Sequence, residues 1–143
     1  MANRSRAREV ALQALFQEDL NPRESRDQVM PLLENRLKEP ELREFAISLV
    51  LGVLRNREEL DALIAAKADN WSVSRMAATD RNVIRLGAFE IRYTDTPPRV
   101  AIDEAVELAK RFGSANSSQF VNGILDKLIE RKESESDELP KHE

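Results

Sequence analysis

The chain has 143 residues, a net charge of −4 at pH 7 and 34% charged residues, the composition of a single soluble globular domain. It contains no cysteine and its only histidine is His142. This composition excludes disulfides, thiolate metal sites, cysteine nucleophiles and histidine-based catalysis, and we expect no cofactor and no metal site. No apolar run approaches the roughly 18 residues of a membrane span. The charged N-terminus lacks the apolar segment of a secretory signal, so we predict a cytoplasmic protein.

Only four glycines occur, and Ala, Leu, Glu and Arg are abundant, which favours an all-α chain. We predict a compact bundle of six to seven helices. The start and stop signals in the sequence give these approximate helical spans: a first helix ending near Leu20, then 22–38, 40–68, 79–93, 100–112 and 118–131.

Several residues modify these predicted helices. Pro31 falls inside the second helix and is able to break it, and the long third helix is expected to bend near Gly52 or Asn56. Trp71 is predicted to fill a seam between two helical layers, and Gly113 to end the helix before it. Residues 133–143 are charged and poor in apolar residues, so a disordered acidic tail is expected.

The first helix carries the strongest functional signal. At 100° per residue, one stripe of this helix is apolar, and the opposite side presents Arg6, Glu9, Gln13 and Phe16. Arg4 and Arg8 lie beside the stripe, where long side chains can reach solvent. Arginine for phosphates, an amide for base edges and a ring for stacking together suit RNA. The alternative is a solvated helix start with Phe16 in the core. Because the body is acidic, an RNA site would be a local basic patch.

Four sequence blocks, in order and at matching spacing, resemble the NusB family of bacterial transcription antitermination factors from about Arg4 to Leu128. They are listed here as they stand in this chain: Arg6-Ala7-Arg8-Glu9 followed by Ala11-Leu12-Gln13-Ala14-Leu15-Phe16; Asp80-Arg81-Asn82-Val83-Ile84-Arg85-Leu86; Val100-Ala101-Ile102-Asp103-Glu104-Ala105-Val106-Glu107-Leu108-Ala109-Lys110; and Phe112-Gly113 with Phe120-Val121-Asn122-Gly123-Ile124-Leu125-Asp126.

The resemblance implies one all-α RNA-binding domain over 1–132, made of two small helical subdomains at about 1–70 and 71–132. It also implies a non-enzymatic role. Members of the family bind boxA of nascent ribosomal RNA transcripts together with NusE, a small-subunit ribosomal protein, within the RNA polymerase antitermination complex, and so promote read-through. Some members form homodimers, and the sequence does not decide between monomer and dimer.

Carried over by matching position, the resemblance assigns RNA contacts to two segments. These are Arg4, Arg6, Arg8, Gln13 and Phe16 in the first helix, and Phe112, Asn116, Ser117 and Phe120 around the 112–120 loop. It assigns the contact with NusE to Asp80, Arg81, Phe89 and Tyr93. For Phe16, Phe112, Phe120 and Phe89, packing in the core is the open alternative.

Two other functions remain as alternatives at this point. A NusB-like domain also precedes the catalytic domain of certain ribosomal RNA cytosine methyltransferases, but this chain has no glycine-rich cofactor loop and no cysteine nucleophile. A helical adaptor that binds only protein is the second alternative, and it predicts that Arg6 and Arg8 can be lost without effect.

Overall fold

The computed structural model describes residues 2–25, 27–69 and 71–138, with side chains described for 4–23, 27–69 and 71–129. Within these ranges the chain forms helices and no strand, which confirms the all-α prediction. The helices are α1 (Ala2–Leu20), α2 (Pro22–Ser25), α3 (Val29–Arg36), α4 (Pro40–Arg55), α5 (Arg57–Lys67), α6 (Ala78–Tyr93), α7 (Pro98–Phe112) and α8 (Ser117–Glu138), with a 3₁₀ turn at Val73–Arg75 before α6. None of the helices in the described ranges combines the length and apolar character needed to cross a membrane.

Helix α6 lies at the centre of the fold. It packs against α1, α4, α5, α7 and α8, and every residue from Asn82 to Ile91 is buried. Because its polar faces are covered as well, Arg85 and Glu90 need charged partners from neighbouring helices. The apolar side chains form one contiguous core that includes residues of α1 and α3 through α8. The division into subdomains near residue 70 stays a prediction.

The second predicted helix is two short helices, α2 and α3, separated near residue 27. Pro31 is the third residue of α3. Proline is tolerated in a first helical turn because its missing N–H would have no intrahelical partner there. Pro31 therefore lies near the start of a helix and does not interrupt one.

The long third helix is also divided, at Asn56, where the backbone has φ −109° and ψ 17°. The Asn56 side-chain amide donates to the Gly52 carbonyl at 2.8 Å, so it holds the corner between α4 and α5. The prediction of a bend near this point is confirmed, and the prediction of one continuous helix is wrong. Gly52 has a separate role: a Cβ at that position would overlap the Phe89 ring.

Two further predictions need correction. Trp71 is 54% exposed and packs its ring against the Phe120 ring, edge to face with centroids 5.7 Å apart, so it does not fill a buried seam. Helix α8 continues to Glu138, beyond its predicted end at residue 131; the disordered tail stays a prediction, and residues 139–143 lie outside the described ranges. Gly113 ends α7 as predicted, but with extended backbone; a Cβ there would overlap the Ser117 side chain.

Candidate nucleic-acid interface

An open groove of about 350 Å³ runs along the outer side of α1, beside the start of α6 and the end of α7. Residues from these three helices line it: Glu9, Leu12, Gln13, Phe16, Gln17, Thr79 and Phe112. The groove therefore combines residues that are about 100 positions apart in the sequence, and it includes three of the RNA-binding residues predicted above.

Two aromatic rings form the apolar part of this groove. Phe16 is half-buried, whereas Phe112 exposes 42% of its surface. The structure thus brings the first helix and the end of α7 together, as the prediction of a shared site required. A ring that is half-open to solvent at a groove wall can stack on an unpaired base.

Two buried oxygens beside the rings have no hydrogen-bond donor among the described residues: Oε1 of Gln13 and Oδ1 of Asp80. Asp80 is the third residue of α6 and follows Thr79, which lines the groove. A buried acceptor without a donor costs free energy in the isolated protein. Both oxygens are enclosed by protein atoms, so a donor from a ligand reaches either one only after the side chain turns outward.

Two arginines contact Glu9 at the mouth of the groove. Arg6 and Arg111 contact its carboxylate at 3.3 Å and 2.9 Å, and the Arg111 guanidinium carbon lies 5.1 Å from the centroid of the Phe112 ring. The sequence analysis missed Arg111. Its signal was available, since it precedes Phe112 in the basic last turn of α7. Arg4 is also exposed, with its guanidinium 4.3 Å from the centroid of the Phe45 ring.

Arg8 does not reach solvent, and the prediction that it contacts RNA is wrong on this ground. Its residue surface is 5% exposed, and its guanidinium donates two hydrogen bonds to the carboxylate of Glu90 at 2.6 and 2.8 Å. A further ion pair of 3.4 Å joins it to Glu104. Burial alone would lower the pKa of Arg8, but the hydrogen bonds and charges of Glu90 and Glu104 raise that pKa above its ordinary value. Arg8 is a structural cation.

The loop after α7 divides into an exposed part and a buried part. Asn116 is exposed, in agreement with a surface role. Ser117 is 1% exposed, and its hydroxyl oxygen accepts the Ser114 backbone N–H at 2.8 Å. The prediction that Ser117 contacts RNA is corrected, because its hydroxyl closes the loop. Half-buried Phe120 lies with Trp71 in a separate depression that also includes Lys127, so it does not line the groove.

The residues predicted to face NusE also fall into two groups. Phe89 is 8% exposed, which corrects its assignment as a direct contact. The exposed Tyr93 ring stacks on it with centroids 5.5 Å apart. Burial, followed by a hydrogen bond to the Glu59 carboxylate, raises the pKa of Tyr93. The Arg81 guanidinium donates to Asp19 at 2.8 Å and to the Met76 carbonyl at 3.0 Å, so its contacts are internal to the fold.

The described residues contain no cluster of three or more histidine, aspartate or glutamate side chains arranged to hold a metal ion. The groove offers aromatic rings, with guanidinium groups beside it. The family model described as the NusB family matches residues 5–130. The chain belongs to the NusB family.

Relatives and solved structures agree with this assignment. The chain is 44% identical over 133 residues to the transcription antitermination protein NusB of Desulforapulum autotrophicum, covering 90% of this chain and 92% of that protein. T. maritima NusB matches with a TM-score of 0.79 and 38% identity, over 89% of this chain and 90% of that one. A chain in the crystal structure of antitermination factors NusB and NusE in complex with dsRNA matches with a TM-score of 0.78 and 30% identity, over 92% and 98%.

This NusB-family protein is a transcription antitermination protein and not an enzyme, since the relatives it matches are antitermination factors. The predicted family, the all-α fold and the non-enzymatic role are thereby confirmed.

Proposed function

We propose that this NusB-family protein binds the boxA element of nascent ribosomal RNA transcripts in the groove between α1, α6 and α7. It acts there with NusE, as part of the RNA polymerase antitermination complex, and promotes read-through of terminators. The observation that carries the proposal is the groove itself, which brings together two rings and the Gln13 side chain, with Arg6 and Arg111 held beside it on Glu9. A structural neighbour was solved with NusE and dsRNA, which supports both partners.

The groove favours single-stranded RNA over a duplex on chemical grounds. Phe16 and Phe112 can stack only on bases that are not already stacked and paired. The Gln13 acceptor can receive an N–H from a base edge. Arg6 and Arg111 can contact phosphates at the mouth of the groove, with Arg4 further along α1. Each of these contacts uses an atom that the fold leaves accessible or unpaired.

NusE is proposed to bind at the exposed end of α6, around Tyr93. The buried Phe89 ring supports the Tyr93 ring from below, and Glu59 adds a carboxylate on α5. Aromatic rings held rigidly at a surface are typical anchors of protein interfaces. Asp80, near the other end of α6, stays a predicted contact with NusE.

Fluorescence anisotropy tests the proposal directly. Labelled single-stranded boxA RNA, a scrambled strand of equal length and a boxA duplex are titrated with the protein, with and without NusE. We expect the tightest binding for single-stranded boxA, a further gain with NusE, and a loss of affinity with added salt. Equal binding of the scrambled strand, or binding of the duplex alone, contradicts it. Light scattering on the same samples decides between a monomer and a homodimer.

Matched variants locate the site. Arg111→Ala removes a guanidinium from the groove, whereas Arg99→Ala removes one from the same helix about 18 Å away along its axis. Arg99 is 70% exposed in its side chain and pairs with Asp126, so it resembles Arg111 in exposure. We expect Arg111→Ala to weaken boxA binding about tenfold and Arg99→Ala to change it little. Equal effects of the two substitutions would remove the groove from the proposal.

Tyr93→Ala provides the reciprocal test for NusE. It truncates an exposed ring outside the groove, so boxA binding by the protein alone should be unchanged while association with NusE weakens. If Tyr93→Ala leaves NusE binding intact, NusE docks elsewhere. If boxA binding is absent in every sample and NusE binding persists, the protein is an adaptor for protein alone.

A further inference from the structure

Glu9 places a carboxylate in the groove that is proposed to bind the phosphates of RNA. Its Oε2 lies 2.9 Å from Nη1 of Arg111, and its Oε1 lies 3.3 Å from Nη1 of Arg6. Oε1 also accepts a longer hydrogen bond of 3.5 Å from Nη2 of Arg111. The Glu9 side chain is 15% exposed, while those of Arg6 and Arg111 are 44% and 56% exposed. The carboxylate is thus held in the groove wall with a cation on each side.

The two arginines are arranged as they would be to bind a phosphate, but the anion between them is the carboxylate of Glu9. Two carboxylate oxygens between two guanidinium groups occupy the position that two phosphate oxygens would take. The arginine side of each ion pair is exposed, and ion pairs with a solvated partner contribute little to stability. Exchange of the carboxylate for a phosphate therefore has a small cost in folding, but it leaves a negative charge beside the incoming RNA.

We propose that Glu9 is an internal competitor for RNA phosphate, and the inference rests on the groove being the RNA site. In the free protein Glu9 neutralises Arg6 and Arg111, and RNA binding replaces it on at least one of them. Phosphate contacts alone then yield weak binding, because they must first displace Glu9. Stable binding requires bases that also stack on Phe16 and Phe112. Glu9 in this sense lowers the affinity for every single strand, so that only RNA whose bases also stack binds stably.

Glu9→Gln removes the negative charge of Glu9 and keeps the shape of its side chain. Glutamine keeps a side chain of the same length with an oxygen that accepts from guanidinium, but it cannot compete electrostatically with phosphate. At low salt we expect the variant to bind both boxA and scrambled single strands about threefold to tenfold more tightly. The slope of log affinity against log salt should steepen by about 0.7 for each phosphate contact regained. A residue with a purely structural role would not change that slope.

Glu107→Gln is the matched control. Glu107 lies on α7, is 65% exposed in its side chain and pairs with Lys110 at 3.7 Å, and its substitution changes the net charge of the protein by the same amount. We expect little gain in affinity and an unchanged salt slope. Equal gains for the two variants would show a general charge effect and overturn the proposal. Weaker binding by Glu9→Gln, with thermal unfolding unchanged, would show that Glu9 orients the arginines for RNA, and this also overturns it.

The wild-type titration separates the two proposals. If wild-type protein binds boxA and Glu9→Gln binds with the same affinity and slope, the competitor role is excluded and the RNA groove stands. If only Glu9→Gln binds, the competitor role is supported in its strongest form. If neither protein binds any of the RNAs, with or without NusE, both proposals are excluded.

Discussion

The guanidinium of Arg8 in α1 donates two hydrogen bonds, of 2.6 and 2.8 Å, to the two carboxylate oxygens of Glu90 in α6. Both residues are at least 95% buried. The hydroxyl of Thr96 donates a third hydrogen bond to Glu90 at 2.9 Å. The pair therefore connects α1, which lines the proposed RNA groove, to the central helix of the fold, and it fixes the rotation of α1 about its axis.

Loss of this pair should destabilise the protein far more than loss of a groove arginine. Arg8→Ala leaves the Glu90 carboxylate buried without its cation, which costs about 3–5 kcal/mol. Arg6→Ala removes an exposed ion pair and should cost less than about 1 kcal/mol. Urea denaturation followed by circular dichroism measures both free energies of unfolding.

A double variant tests the physical reason. Arg8→Met combined with Glu90→Leu replaces both charges by apolar side chains of similar size, so no buried charge is left unpaired. Glu104 also loses Arg8, but its side chain is 27% exposed and keeps the hydrogen bond from Ser5 at 2.7 Å. The double variant should therefore unfold at higher urea than Arg8→Ala. If Arg8→Ala and Arg6→Ala have equal stability, the buried pair does not hold the fold in solution.

The contrast between Arg6 and Arg8 shows where sequence reasoning reaches its limit. Helical periodicity placed Arg8 at the border of the apolar stripe, and a border arginine can turn to solvent or to a buried acid. The acid that decides the matter is Glu90, 82 positions away in the sequence. Local patterns carry no information on such a distant partner, so Arg8 was assigned an RNA contact together with Arg4 and Arg6.

Other parts of the fold were predictable because their causes are local. Pro40 opens α4 at its first position and Gly113 ends α7, so these boundaries could be read directly. Helix α7 starts at Pro98, two residues before its predicted start. The corner at Asn56 depends on a side-chain hydrogen bond to Gly52 within an otherwise continuous helical pattern. Arg111 entered the site only because α7 ends beside Glu9 of α1, which is again a long-range relationship.

Asp19 should make the stability depend on pH in the acid range. Burial raises its pKa, but hydrogen bonds from Asn82 and Arg81, with the charges of Arg81 and Arg85, outweigh burial and hold the pKa below its ordinary value of 3.8. Because the folded pKa is the lower one, the stabilisation is fully present above pH 3.8 and is lost as the pH falls through the folded pKa.

Urea denaturation at a series of pH values from 7 to 2 measures this effect. Asp19→Asn should lower the free energy of unfolding at pH 7 by about 1–3 kcal/mol, because Arg81 loses a charged acceptor, and it should flatten the fall in stability below pH 4. Asp103→Asn, at an exposed position of α7, should leave the wild-type profile unchanged. A wild-type profile in Asp19→Asn would contradict the assignment.

Phe16→Ala and Phe112→Ala should differ in their effect on stability, but both should weaken RNA binding. Phe16→Ala truncates a half-buried ring and should cost about 1–2 kcal/mol, less than the 3–5 kcal/mol typical of a fully buried phenylalanine. Phe112→Ala truncates a ring that is 42% exposed and should cost less than about 1 kcal/mol. Each substitution should weaken boxA binding by about 1–3 kcal/mol if its ring stacks on a base.

Thermal unfolding and anisotropy on the same preparations separate the two properties. A loss of stability of more than about 3 kcal/mol in Phe16→Ala, with boxA binding by the folded fraction unchanged, would place that ring in the core. Unchanged binding by Phe112→Ala would remove the stacking role from the end of α7.

Substitution by alanine should have opposite effects on stability at Gly52 and at Gly123. A Cβ at Gly52 would overlap the Phe89 ring, whereas a Cβ at Gly123 would meet nothing within 4 Å. Gly123→Ala lies inside α8 and should stabilise the protein by about 0.5–1 kcal/mol through helix propensity alone. Gly52→Ala should destabilise it by about 1–3 kcal/mol, because overpacking outweighs the same gain in propensity.

The Gly52 substitution also reaches the proposed NusE surface. Phe89 must shift to admit the new methyl group, and Tyr93 stacks on Phe89, so the exposed ring should lose its support. We therefore expect Gly52→Ala to weaken NusE association while leaving boxA binding by the protein alone close to wild type. Gly123→Ala should change neither. If Gly52→Ala is destabilised yet binds NusE normally, the Phe89–Tyr93 stack does not shape that surface.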